Sequence, residues 1–211
     1  MIAPYYQRDG ITIYHGDCRE VGAWREADVL VMDPPYGMAY KSGWSGGSIV
    51  GDEDTTLRDG VLAMWGDKPA LVWGRWSEPR PDGVVARLVW DKGEWPGMGD
   101  LALPWGPSDE EVYVLGRGWV GTRSGTVMRF PRLGAAQMPH PMAKPVEILQ
   151  RLLRNCDPAW AIADPFMGSG TTLVAAALEG RKAIGIEIEE RYCEIAAKRL
   201  AQGVLPFAGG A

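Results

Sequence analysis

Seven short apolar runs recur along the chain, at residues 11–14, 29–32, 71–73, 84–90, 112–115, 160–163 and 183–187. Their apolar positions are consecutive rather than alternating, which predicts strands covered on both faces. Helical patterns lie among the later runs. Residues 146–155 set Ile148, Leu149, Leu152 and Leu153 on one face, with Pro145 in the first turn. Residues 171–179 are alanine-rich and stop at Gly180, and residues 189–201 turn Ile195, Ala196 and Leu200 inward. Strands alternating with helices predict an α/β layered domain with a mainly parallel sheet. In such sheets ligands bind beyond the carboxyl ends of the strands.

Two of those ends carry chemistry. The run Val29-Leu30-Val31-Met32 delivers Asp33-Pro34-Pro35-Tyr36. A carboxylate and a proline carbonyl can accept both N–H bonds of a planar amine while a ring stacks on the attached base. An exocyclic amine of adenine or cytosine is a poor nucleophile because its lone pair is delocalised. Two acceptors favour a pyramidal nitrogen, and they bind more strongly as positive charge develops on it. The second end is Asp164-Pro165-Phe166-Met167-Gly168-Ser169-Gly170, with Thr171 opening a helix. Its glycines permit a tight turn and close approach of a ligand. The next strand ends at Glu187, about where dinucleotide folds place a ribose-binding acid. The third glycine of a dinucleotide fingerprint is missing, and no lysine precedes Thr171 as a phosphate-cradling loop requires. A ligand with a ribose and no phosphate fits, and S-adenosylmethionine is such a ligand. Together the two ends point to methyl transfer onto a nucleobase amine.

The length of 211 residues predicts one domain with a full core. A net charge of −5 weighs against a nucleic-acid partner. Its distribution weighs the other way: residues 112–146 contain no Asp or Glu but hold Arg117, Arg123, Arg129, Arg132 and Lys144. One basic face on an acidic protein gives this pattern, as does a solvated loop with scattered arginines. The 10 tryptophans are expected mostly in core or rim packing. Cys18, Cys156 and Cys193 are odd in number and lack C-x-x-C spacing, so reduced buried thiols are expected and no metal site is indicated. No run reaches the ~18 apolar residues of a membrane span. With no secretory pattern at the N-terminus, a cytoplasmic protein without a membrane partner is expected.

Taken in order, these segments resemble the amino-methyltransferases of DNA, in the β arrangement where the catalytic motif precedes the cofactor loop. Asp33-Pro34-Pro35-Tyr36 matches the catalytic tetrad and Asp164 through Gly170 the cofactor loop. Gly185-Ile186-Glu187 with Tyr192, Ala196 and Arg199 is similar to the second cofactor strand and helix. His140-Pro141-Met142-Ala143-Lys144-Pro145 resembles the segment leading into the helix before that loop. Residues 11–17, Trp90-Asp91-Lys92 and Gly97-Met98-Gly99 also fit. The resemblance implies a single Rossmann-like methyltransferase domain, with a mostly parallel seven-stranded sheet and helices on both faces. It implies a catalytic half at 1–116, a short basic DNA-facing segment at 117–139 and a cofactor half at 140–205. S-adenosylmethionine is the implied cofactor and double-stranded DNA the implied partner. Asp33, Pro34, Pro35 and Tyr36 would act on the target base. Glu187 would hold the ribose and Asp17 the adenine amine. Asp164, Phe166, Gly168, Ser169, Gly170 and Thr171, with His140 and Lys144, would complete the cofactor site. Lys41, Arg117, Arg123, Arg129 and Arg132 would face DNA.

Plainer roles stand beside several of these. Asp17 suits a turn after Gly16, Glu187 a helix N-terminus, and His140 a turn before Pro141. Residues 37–56, rich in glycine and serine, suit either a flap over the flipped base or a long surface loop. Segment 117–139 is too short for a separate recognition domain, which predicts a short or relaxed target sequence, or specificity assembled by a homodimer. Asp at the head of the tetrad leans to adenine N6 over cytosine N4. RNA or protein amide methylation, a non-catalytic nucleic-acid-binding module and a nicotinamide-dependent oxidoreductase are the remaining alternatives.

Overall fold

The computed structural model describes residues 2–35, 54–93, 97, 99–131 and 144–202. Their strands are β1 (Tyr6–Arg8), β2 (Ile11–His15), β3 (Val29–Met32), β4 (Ala70–Gly74), β5 (Val84–Asp91), β6 (Asp109–Leu115), β7 (Val127–Arg129), β8 (Ile162–Asp164) and β9 (Ala183–Glu187). The helices are α1 (Thr56–Trp65), α2 (Val146–Leu153), α3 (Thr171–Leu178) and α4 (Glu190–Ala201), with a 3-10 turn at Gly22–Glu26.

All nine strands form one sheet in the order β1-β2-β9-β8-β3-β4-β6-β5-β7. Parallel pairing joins β2, β9, β8, β3 and β4 in succession, and β6 runs antiparallel to both its neighbours. The seven expected strands are the central seven. The sheet gains β1 and β7, one on each edge and only 3 residues long, too short to leave a periodic signal.

The central strand β3 shows why its sequence is apolar throughout. Leu30 and Met32 face a core completed by Trp24, Val61 and Trp65 from the 3-10 turn and α1. Val29 and Val31 face the opposite core, closed by α2, α3 and α4 through residues such as Leu149, Leu173 and Ala196. All four β3 residues are buried, at no more than 0% exposure, so either face left open would shed apolar contact. Helices therefore cover both faces. The tryptophans largely pack as expected: Trp24 stacks on Trp65 at 5.8 Å, and Trp73 meets Trp90 edge to face at 5.8 Å. All three cysteines are free and buried. Among the described residues no helix is long and apolar enough to cross a membrane.

Candidate active site

Four carboxylates collect along four adjacent parallel strands, at their carboxyl ends. Glu187 closes β9 and Asp164 closes β8, Asp33 follows β3 directly, and Asp17 lies two residues beyond β2. Register keeps them level: His15 pairs with Glu187, Asp164 with Gly185 and Leu30 with Ala163. Two motifs more than a hundred residues apart in sequence thus share one edge of the sheet, as expected from the strand-end positions.

The glycine loop is built around buried Asp164. Burial pushes its carboxyl up to about 7, against hydrogen bonds from the Thr172 hydroxyl and the Phe166 amide that favour the charged form. The charges of Asp33 and Glu187 raise it further. Glu187 binds the same loop: its Oε2 accepts the Gly168 amide at 2.9 Å and its Oε1 the Glu189 amide at 2.8 Å. Burial raises the Glu187 carboxyl despite those amides. Gly170 has φ +78°, and a Cβ there would lie 2.7 Å from the Cβ of Ala196, so loop and α4 approach as only glycine permits. Arg199 on α4 donates to the Ser169 carbonyl at 2.6 Å, fastening the turn before Thr171 opens α3. Phe166 is half-buried against the α1-side core.

Asp17 has taken the turn role as well as a place beside Glu187. Its carbonyl accepts the Glu20 and Val21 amides, and its carboxylate takes the Arg19 amide at 2.8 Å and the Arg19 Nε at 2.9 Å. Those bonds from Arg19 hold its carboxyl below the usual range. The Gly16 amide donates to the Glu187 carbonyl at 2.9 Å, tying the two strand ends together. His15 is exposed, its Nε2 3.1 Å from the Ile188 carbonyl, a structural position.

Lys144 bears on the tetrad. Its ammonium lies 2.6 Å from Asp33 Oδ2 and 3.2 Å from Glu110 Oε2, with Lys92 2.6 Å from Glu110 Oε1. Pro34, next in the tetrad, is buried. The sequence alone does not single out Glu110. Its alternation with Val112 and Val114 along β6 was the available signal that it faces the α2–α4 side.

The basic segment divides. Strand β6 is reversed, so Leu115 pairs with Ala70 at the amino end of β4, and Arg117 follows at the edge opposite Glu110 and Asp33. There the Val120 amide donates to Asn155 at 2.8 Å and Trp119 meets Trp160 edge to face. Arg117 is therefore placed away from the four carboxylates. Strand β7 then climbs parallel to β5 and sets Arg129 level with Asp91, 3.1 Å away, at the site edge. Arg123 lies on the exposed stretch between. Tyr36, Lys41, Arg132 and His140, and the flap expected over 37–56 as far as residue 53, lie outside the described residues. Thr56, at the end of that stretch, opens α1.

The same fold occurs in the solved M1.HpyAVI–SAM complex, with a TM-score of 0.65, 22% identity and coverage of 90% of this chain and 98% of that one. The cytosine-N4-specific PvuII DNA methyltransferase has a TM-score of 0.73 at 14% identity, covering 97% of this chain and 91% of that one. In sequence, residues 121–198 match the DNA methylase family. "Putative methylase YubD" of Escherichia coli (strain K12) is 30% identical over 209 residues, 88% of each chain. The chain belongs to the DNA amino-methyltransferase family.

Proposed function

We propose that this protein methylates the N6 amine of adenine in double-stranded DNA, using S-adenosylmethionine. The observation that carries the reading is the meeting of Asp33 with Asp164 and Glu187 on one edge of the sheet. Bound there, the cofactor supplies a methyl group on a cationic sulfonium. A sheet edge lined by acids favours such a cation and disfavours the pyrophosphate of a dinucleotide. Asp164, pushed to about 7 by burial, is an acid that a bound cation would draw back to its charged form. Glu187 would hold the ribose hydroxyls, Asp17 the adenine amine, and Asp164 with the Gly168–Gly170 backbone would face the methionine part. Lys144 acts beside them through Asp33.

The target base must leave the duplex stack, at a cost of a few kcal/mol. Asp33 then accepts one N–H of its amine and the Pro34 carbonyl the other, with Tyr36 stacked on the ring. Both acceptors hold the nitrogen more tightly as it gains positive charge, so they favour the transition state over the bound substrate. Asp rather than Ser at the head of the tetrad favours adenine. The test is incubation with labelled cofactor and unmethylated duplex DNA, followed by nucleoside mass spectrometry. N6-methyladenine is expected. N4-methylcytosine would transfer the same geometry to the other base, and no modified nucleoside would end the reading.

A further inference from the structure

A chain of alternating charge runs through the α2–α4 side of the sheet to the tetrad. Lys92 Nζ is 2.6 Å from Glu110 Oε1, Glu110 Oε2 is 3.2 Å from Lys144 Nζ, and Lys144 Nζ is 2.6 Å from Asp33 Oδ2. The first three side chains are 11%, 15% and 8% exposed and Asp33 is 27% exposed, so the chain opens to solvent at Asp33. Trp73 and Trp90 wall the two ammonium groups at 5.0 and 5.1 Å. Burial alone would lower the Lys144 ammonium, but Asp33 and Glu110 outweigh it and hold its pKa up at about 12. Each ammonium lies against a carboxylate, which is how buried charges persist.

The arrangement also decides what Asp33 can do. An ammonium facing Asp33 alone would be drawn fully onto that carboxylate and compete with an incoming amine. A second carboxylate on its other side divides the attraction. We propose that Glu110 is a positioning residue for methyl transfer: it anchors Lys144, which fixes the Asp33 carboxylate to receive the target amine. The inference rests on the reading of the site given above.

Glu110→Gln keeps the size of the side chain and removes its charge. Single-turnover transfer is expected to fall by roughly a hundredfold, as when a reacting group is misplaced by about 1 Å. KM for DNA and cofactor affinity should hold, and Glu110→Asp should recover much of the rate. Adding E110Q to Lys144→Met should cost little more than Lys144→Met alone, since both act through Asp33. A wild-type rate in E110Q, a loss of cofactor affinity in step with rate, or losses that multiply in the double variant would each overturn the role. Should E110Q not fold, Lys92→Met tests the outer anchor: a lower kcat at unchanged KM supports the chain, and an unchanged rate overturns it. Wild-type protein that modifies no base refutes the site reading and Glu110's role with it. An active wild type with an equally active E110Q refutes Glu110 alone.

Discussion

Asp164 shows how much of this site is set by where one carboxyl group is buried. Its two hydrogen-bond donors, the Thr172 hydroxyl and the Phe166 amide, are neutral, and burial lifts its carboxyl to about 7. The folded protein then holds, between about pH 4 and pH 7, a proton that the unfolded chain has shed. Stability of the ligand-free protein should fall as pH rises through that window, with the loss complete above about 7. Glu187, also raised by burial, adds in the same direction. Asp164→Asn should flatten the decline, measured as urea midpoints from acid to neutral pH; equal slopes in both proteins would show the proton sits elsewhere. A cationic ligand expels that proton, so affinity for S-adenosylmethionine should climb up to about pH 7 and level off, by calorimetric titration. Asp33 would have a separate task in the proposed reaction. Asp33→Ala should lower transfer by roughly a hundred- to a thousandfold, the loss typical of one transition-state contact, with cofactor affinity nearly unchanged. A parallel collapse of cofactor binding would show that the two acids do not divide the work.

At the level of elements, the turn from β8 into α3 is held by a conformation as much as by contacts. Gly170→Ala forces a side chain into φ +78° and against Ala196 of α4, so unfolding free energy should drop by about 1–3 kcal/mol. Denaturant unfolding checks this, and a drop well under that range would mean α4 can shift aside. The same scale shows what was legible in the sequence. Strands β3 and β8 could be read because a strand buried along its whole length is apolar throughout, and β2 and β9 through their buried Ile11, Ile13, Ala183 and Ile186, with a carboxylate at or just beyond each end. The helices α2, α3 and α4 could be read from their apolar faces and from Gly180. Helix α1 could not: it carries Gly60 mid-length and follows a glycine-rich stretch, though Val61 and Trp65 bury against the sheet. Edge strands β1 and β7 owe their form to partners rather than to their own three residues. Glu110 is not legible in the sequence because it sits in the acidic stretch Asp109-Glu110-Glu111, where only strand alternation separates the inward-facing members.

The whole molecule carries its charge unevenly, and the reversal of β6 decides which cations can serve the site. Arg117 sits where β6 leaves the sheet at the amino ends of the parallel strands, whereas Arg129 reaches the carboxyl edge that Asp33, Asp164 and Glu187 share. A duplex presenting a flipped base to Asp33 in the proposed reaction would lie over that edge, which would bring its phosphates nearer Arg129 than Arg117. The pair Arg129–Asp91 is exposed, with side chains 84% and 33% accessible, and should add little to stability. Arg129 can therefore turn from Asp91 to a phosphate at small cost. Arg129→Ala should weaken duplex binding and reduce the dependence of log affinity on log salt by about one. Arg117→Ala should leave both unchanged. Fluorescence anisotropy of one labelled duplex across a salt series measures the two together. Equal effects from the two substitutions would mean that DNA wraps both edges of the sheet, and equal absence of effect would move the phosphate contacts to cations outside residues 117–129.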